Sequence, residues 1–331
     1  MNRIGAKNRI IRITKNFLAL LVVAIILFPI IWMLPAAFKD RTELFAIPNK
    51  FLPQSWSLDY FKKVFTMTLN GYNFTSSLLA TFFVAVVATA LSLFINMMAG
   101  YVFARMEFPF KNVIWWYVLI TMFIPGITIL LTSIRVVNIL NMADTIWVLI
   151  IPGVVSAYNV FYFRQFFFSV PKSLEDAALL DGLGRFGTFW HIFRPMSTTP
   201  MIVIGISVFM GYWNSFMWPT LTVSGNSNIA QVTQIIRVLS DAYAGDYGVV
   251  VAASLVSIAI PLAIYLIFQK KILEGIATTG LMLERSQLCF KWMKSQKKDR
   301  ESGAGYPATI PPAAMTTAST FSPARPSPWR S

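Results

Sequence analysis

The sequence predicts an all-α membrane protein with six transmembrane helices, and three observations carry that reading. Hydrophobic residues make up 56% of the chain and charged ones only 13%, whereas a soluble domain is about one-quarter charged. Mean hydropathy is +0.61. Six apolar stretches are each long enough to cross ~30 Å of hydrocarbon, a distance that takes roughly 20 helical residues.

The first stretch, 17–38, follows the basic segment "MNRIGAKNRIIRITKN". That segment resembles the start of a secretory signal, but the apolar run outlasts a usual signal core and no A-x-A cleavage pattern follows, so it reads as a retained span. The remaining stretches are 77–104, 113–133, 146–168, 201–222 and 248–268. Five of the six contain no charged residue. The exception is Arg164 in the fourth, placed near one end, where a long side chain can reach the interface and avoid the ~2.5 to 3.5 kcal/mol cost of the bilayer centre.

Placing the N-terminus inside the cell puts 21 of the 28 Lys and Arg residues on the cytoplasmic side, and without the C-terminal tail the count is still 11 to 7. That asymmetry predicts both termini to be cytoplasmic. The formal charge of +14 therefore reads as a topology signal, with no nucleic-acid partner. Three regions follow: a basic cytoplasmic tail (1–16), a six-span domain (17–280), and a tail (281–331) that is first basic and then rich in Ala, Pro and Ser, predicted to be disordered. The loop 169–200 faces the cytosol, while 39–76 and 223–247 face outward, the latter with turn-forming stretches "TVSGNSN" and "AGDYG". A partner outside can dock there. The sequon at Asn73, Phe74 and Thr75 reads as a chance match beside a span.

Within 169–200, Ser173 is placed to cap a helix with Asp176 three residues on, and Glu175 and Asp176 suit the positive end of its dipole. Gly182 and Gly184 then break the helix. Asp181 opposes the dipole and needs a partner such as Arg185 or the turn's amides. Phe186, Phe189, Trp190 and Phe193 recur at helical spacing, so a second short helix can rest an aromatic face on the interface or on the spans. By pattern alone this segment either fills a groove in a soluble partner or merely connects spans four and five.

The segment 176–182, "DAALLDG", resembles the E-A-A-x-x-x-G motif of the integral-membrane subunits of ABC importers, and "FWHIFRPMSTTP" resembles that motif's I-x-x-P-x-x-x-x-P ending. "FIPG" in the third span, "FMGYWNSFMWP" in the fifth and "AASLVSIAIPLAIYLIFQKKILEGIATTG" at the end resemble the carbohydrate branch, the six-span maltose-type permease subunit. The resemblance covers about residues 12–280. It departs from the family where Asp176 replaces the usual Glu, Leu183 a common Ala and Arg194 an apolar residue, and beyond about residue 284. It implies a cytoplasmic coupling-helix loop between spans four and five that docks a cytosolic ABC ATPase dimer through Glu175, Asp176, Ala177, Ala178, Asp181 and Gly182. It further implies a homologous second permease subunit, an extracytoplasmic solute-binding protein, a carbohydrate solute and a bacterial inner-membrane location.

Other signals point away from chemistry in this chain. "GLGRFG" matches a dinucleotide fingerprint, but no strand precedes it. No G-x-x-x-x-G-K-[ST] is present, so ATP is used by a partner and no cofactor is expected here. The lone Cys289 and lone His191 exclude a disulfide framework and a Cys/His metal site. With spans nearly free of ionisable groups, an enzyme is not expected. Asn96, Asn159, Gln165, Trp213, Asn214 and Ser215 interrupt the spans as neutral polar or aromatic positions. Helix packing accounts for such residues, but Trp213, Asn214 and Asn159 are also candidates for a solute pathway, since aromatic faces beside amides suit a sugar. The alternatives are a stand-alone secondary transporter or channel, which calls for intramembrane acids or broken helices, and a membrane scaffold for a soluble partner.

Overall fold

The computed structural model describes residues 3–48, 50–69, 71–224 and 227–271. The C-terminal region 281–331 lies outside the described residues. The chain divides into a unit Met1–Phe268 and a second, Gln269–Ser331; the description below concerns the first.

Three helices are long and apolar enough to cross a membrane unaided: Arg12–Ala36, Phe74–Arg105 and Gly248–Lys271. Three further bent pairs bring the total to as many as six when each pair is counted as one span. The first helix already begins at Arg3, so the basic segment is helical from there and continuous with the span. Its membrane window is entirely unburied against the rest of the chain.

The helix Phe74–Arg105 is the spine on which the fourth and fifth spans pack. Its packing face carries small residues, Ala85, Ala88, Ser92 and Gly100, which let neighbouring backbones come close. Asn73 caps it, the side chain accepting from the Ser76 N–H at 3.1 Å, which gives the sequon asparagine a structural role.

The third, fourth and fifth spans depart from the expected unbroken helices. The third is Lys111–Thr121 followed by Gly126–Ile139 at 104°. Pro125 has no N–H to continue the first helix and sits in extended backbone as the cap of the second. The fourth is Ile146–Gly153 followed by Ala157–Ser169 at 46°, broken behind Pro152 and Gly153. The fifth is Thr198–Trp213, then a separate helix Met217–Thr222.

The far end of the bundle is more structured than its turn-rich sequence indicated. It holds a helix Asp59–Thr66, a two-stranded hairpin pairing Thr68 with Asn73, and an amphipathic helix Val232–Ala242 that buries Val232, Ile235 and Leu239. Val232, Ile235 and Leu239 fall at i, i+3 and i+7, one helical face, and they join Phe74, Phe209 and Trp213 in the core at that end. At the opposite end, which carries residues 169–200, a second core forms from Met97, Tyr101, Phe163, Phe167, Phe189 and Phe193.

Candidate functional site

Two features stand out: the projection at the loop end and a cavity within the bundle. The projection starts with a helix Lys172–Leu180 capped by Pro171, with no side-chain cap. This corrects the expected Ser173 cap: Pro171 sits in extended backbone and Lys172 already begins the helix, leaving Ser173 inside the first turn. The helix ends as expected. Gly182 has φ +81°, the Gly182 N–H donates to Leu179 O at 3.1 Å, and the Leu183 N–H donates to Ala178 O at 2.9 Å. These two bonds define a Schellman cap, which requires a residue tolerant of left-handed backbone. Asp181 precedes it as the helix terminus; among the described residues no ion pair joins it to Arg185.

The returning arm is helical from Arg185 to Met196, with a π-helical stretch Phe189–Phe193. Its aromatic residues do not share one face. Phe189 and Phe193 are buried against Tyr101, with ring centroids 5.3 and 4.9 Å away. Phe186 and Trp190 stack on each other on the outside, 6.2 Å apart. The wider π turn separates these two pairs by rotating them out of the α-helical register.

Asp176, Ala177, Asp181 and Gly182 are exposed, Ala178 is buried, and Glu175 is half-buried. Glu175 points inward, its carboxylate 3.7 Å from the Arg105 guanidinium at the end of the second span. Arg164 is half-buried: its guanidinium lies 4.0 Å over the Trp115 ring and 4.5 Å over Phe168, with Nε donating to Phe103 O at 3.2 Å. Aromatic faces attract such a cation.

The cavity, about 530 Å³, lies where spans two to five meet. That is the size of a small-molecule site. The broken fourth span forms part of its wall, and the freed backbone groups there find new partners, most of them on other spans. Pro152 cannot donate to Val148 O, and the Trp218 indole N–H does so at 2.8 Å. The Val154 N–H turns to Ile151 O, and the Tyr212 hydroxyl donates to Ile150 O at 3.0 Å. Asn96 serves both sides of the gap, donating to Val154 O at 2.8 Å and accepting from the Ser156 N–H at 2.9 Å. Without such partners, backbone groups in hydrocarbon are costly.

Of the three pathway candidates, only Asn159 lines this cavity. It is 7% exposed, and its amide has no protein hydrogen-bond partner among the described residues. Trp213 is in the far-end core, stacked on Phe209 at 5.6 Å. Asn214 is exposed, donating to Met210 O at 3.0 Å. Ser133, Ser156, Ser207, Tyr212 and Gln231 also line the space; these had no distinguishing signal, because an isolated Ser or Tyr in an apolar run looks like packing.

The family description that matches this arrangement is the binding-protein-dependent transport system inner membrane component, over residues 96–274. The chain belongs to this family. The sn-glycerol-3-phosphate transport system permease protein UgpE of Yersinia enterocolitica is 29% identical over 77% of this chain and 92% of its own length. The arabinooligosaccharides transport system permease protein AraQ of Halalkalibacterium halodurans is 28% identical over 78% of this chain and 91% of its own. A solved bacterial ABC transporter involved in import of the acidic polysaccharide alginate superposes with a TM-score of 0.71, at 21% identity, over 80% of this chain and 97% of that one. This permease is therefore a multi-pass bacterial membrane protein of the ABC-importer fold.

Proposed function

We propose that this permease forms half of the pathway of an ATP-driven importer for a hydroxyl-rich solute, a sugar or oligosaccharide, and is driven through the projection at residues 169–200. An extracytoplasmic binding protein delivers the solute, a second permease subunit completes the pathway, and two ATPase subunits in the cytosol supply the energy. The permease itself binds no nucleotide and catalyses no reaction. The observation that carries the reading is the form of the projection. A Schellman-capped helix turns at Gly182 and exposes Asp176, Ala177 and Asp181 together with Leu180, which is 89% exposed. A leucine that bare at a polar tip is suited to a groove in a partner, and the buried Phe189 and Phe193 root the tip in the spans.

The solute class rests on the cavity. Hydroxyls and amides from Ser133, Ser156, Asn159, Ser207 and Gln231 line it beside the rings of Tyr158 and Trp218, an arrangement suited to sugar hydroxyls and apolar sugar faces. The relatives named for glycerol phosphate and arabinooligosaccharide transport are consistent with polyhydroxylated cargo. A stand-alone secondary transporter would also show broken spans, but the cavity lining contains no carboxylate to couple an ion.

The decisive experiment is gentle purification with mass spectrometry of co-eluting chains, repeated with Gly182→Pro. The wild type is expected to bring down an ABC ATPase and a second six-span chain. The variant, whose ring fixes φ near −65° where +81° is needed, is expected to insert but to lose ATP-dependent uptake. Normal uptake by the variant would remove the projection from the mechanism.

A further inference from the structure

We propose that Arg105 is a positioning residue that ties the projection to spans two and four, and that Glu175 is its tether and does not dock the ATPase; this rests on the reading above. Arg105 closes the second span and engages three elements at once. Its guanidinium donates to Phe167 O and Val170 O, two carbonyls at the C-terminal end of the fourth span. It pairs with Glu175 at 3.7 Å and lies 5.1 Å over the Phe193 ring of the returning arm. Both arms of the projection therefore meet one cation fixed on the spine.

Burial decides which acid does what. The Arg105 and Glu175 side chains are 10% and 17% exposed, while Asp176 and Asp181 are exposed. Removing one partner of a buried pair leaves the other charge uncompensated, so Glu175 cannot swing out to a docking groove without stranding Arg105. Asp176 and Asp181 can meet a partner at no such cost. The Arg105 Nε is buried without a hydrogen-bond partner, so the guanidinium holds a spare donor for a second arrangement. A two-state element driven by ATP needs such differential contact.

The test uses the complex with its co-purifying ATPase, Cys289→Ser as background, Ser207→Cys on the cavity wall, and a fluorescein maleimide as probe. ATP with vanadate is expected to change the rate of Ser207→Cys labelling by about fivefold or more, the low end of a coupling between sites. Arg105→Gln and Glu175→Gln should each collapse that response to under about twofold while leaving the amount of bound ATPase unchanged. The double variant should be no worse than either single one, because coupled residues do not add. Arg105→Lys, which keeps the charge but not the planar fork, should fold and give an intermediate response. A merely structural role would lower assembly and leave the response per assembled complex intact. An unchanged response in both single variants, additive losses, or loss of bound ATPase in Glu175→Gln would overturn the proposal. Absence of any ATPase from the wild-type preparation would overturn the importer reading and this inference with it.

Discussion

The loop end and the cavity are held together by opposite means. At the loop end, rings and charges converge: Tyr101, Phe167, Phe189 and Phe193 interlock, and Arg105 and Arg164 are laid over aromatic faces. Around the cavity there is no charge, and single neutral donors splint a helix that proline has opened. The first arrangement is packed as a block, and packed interiors transmit displacement. The second has discrete hydrogen bonds that can exchange partners. The proposed importer, passing motion from the projection to the cavity, would need both: a stiff end to receive force and a breakable one to yield.

The largest expected effect breaks the splint. Asn96→Leu strands Val154 O and the Ser156 N–H, at about 1 to 3 kcal/mol for each buried group; the thermal midpoint of the purified permease should fall and uptake should be lost, measured in detergent and in vesicles respectively. Next is the stiff end. A Cβ on Gly100 would lie 2.7 Å from the Phe163 Cβ and 3.0 Å from the Arg164 N, so Gly100→Ala should cost about 1 to 3 kcal/mol by overpacking, seen as a lower midpoint with Arg164 displaced. Trp218→Phe removes the one donor that Val148 O gains across the spans and should cost about 1 to 2 kcal/mol, with uptake reduced but measurable. Tyr212→Phe is the mildest, about 1 kcal/mol; if it equals Asn96→Leu in uptake, the splint is not ranked as the geometry ranks it.

The end of the bundle far from the projection sharpens the contrast through pH. Tyr60 donates to Asp246 at 2.6 Å, and burial, then that bond and the carboxylate charge, push its hydroxyl well above the ordinary 10.0. The folded value lies above the unfolded one, so the stabilisation is fully present below the unfolded value and fades as pH climbs through the folded one. Tyr60→Phe should therefore cost most at neutral pH and lose its penalty only under strong alkali, as read from the midpoint against pH.

Length and apolarity made the spans legible, and the small left-handed turn was legible in Gly182. Breaks were harder to see. Pro125 with Gly126 and Pro152 with Gly153 are the visible punctuation, but an uninterrupted apolar run outweighs two residues when periodicity is the criterion. Asn96 looked like a packing amide because its job exists only once Val154 and Ser156 lose their helical partners. The direction of Glu175 was likewise hidden: neighbouring helical residues diverge by 100°, so Glu175 and Asp176 read alike in sequence and part company only when the helix is seated.

The buried Ser197 has one further implication. Its hydroxyl and N–H both bind Phe193 O at the single residue separating Arg185–Met196 from Thr198–Trp213, two helices set at 78°. No slack tether lies between them, so in the proposed importer the pair would act as a bell crank with a riveted elbow. Its long limb of 16 residues extends about 24 Å at 1.5 Å per residue, far enough that, under the proposed mechanism, a small twist at the projection would sweep Gly211 across the chamber wall.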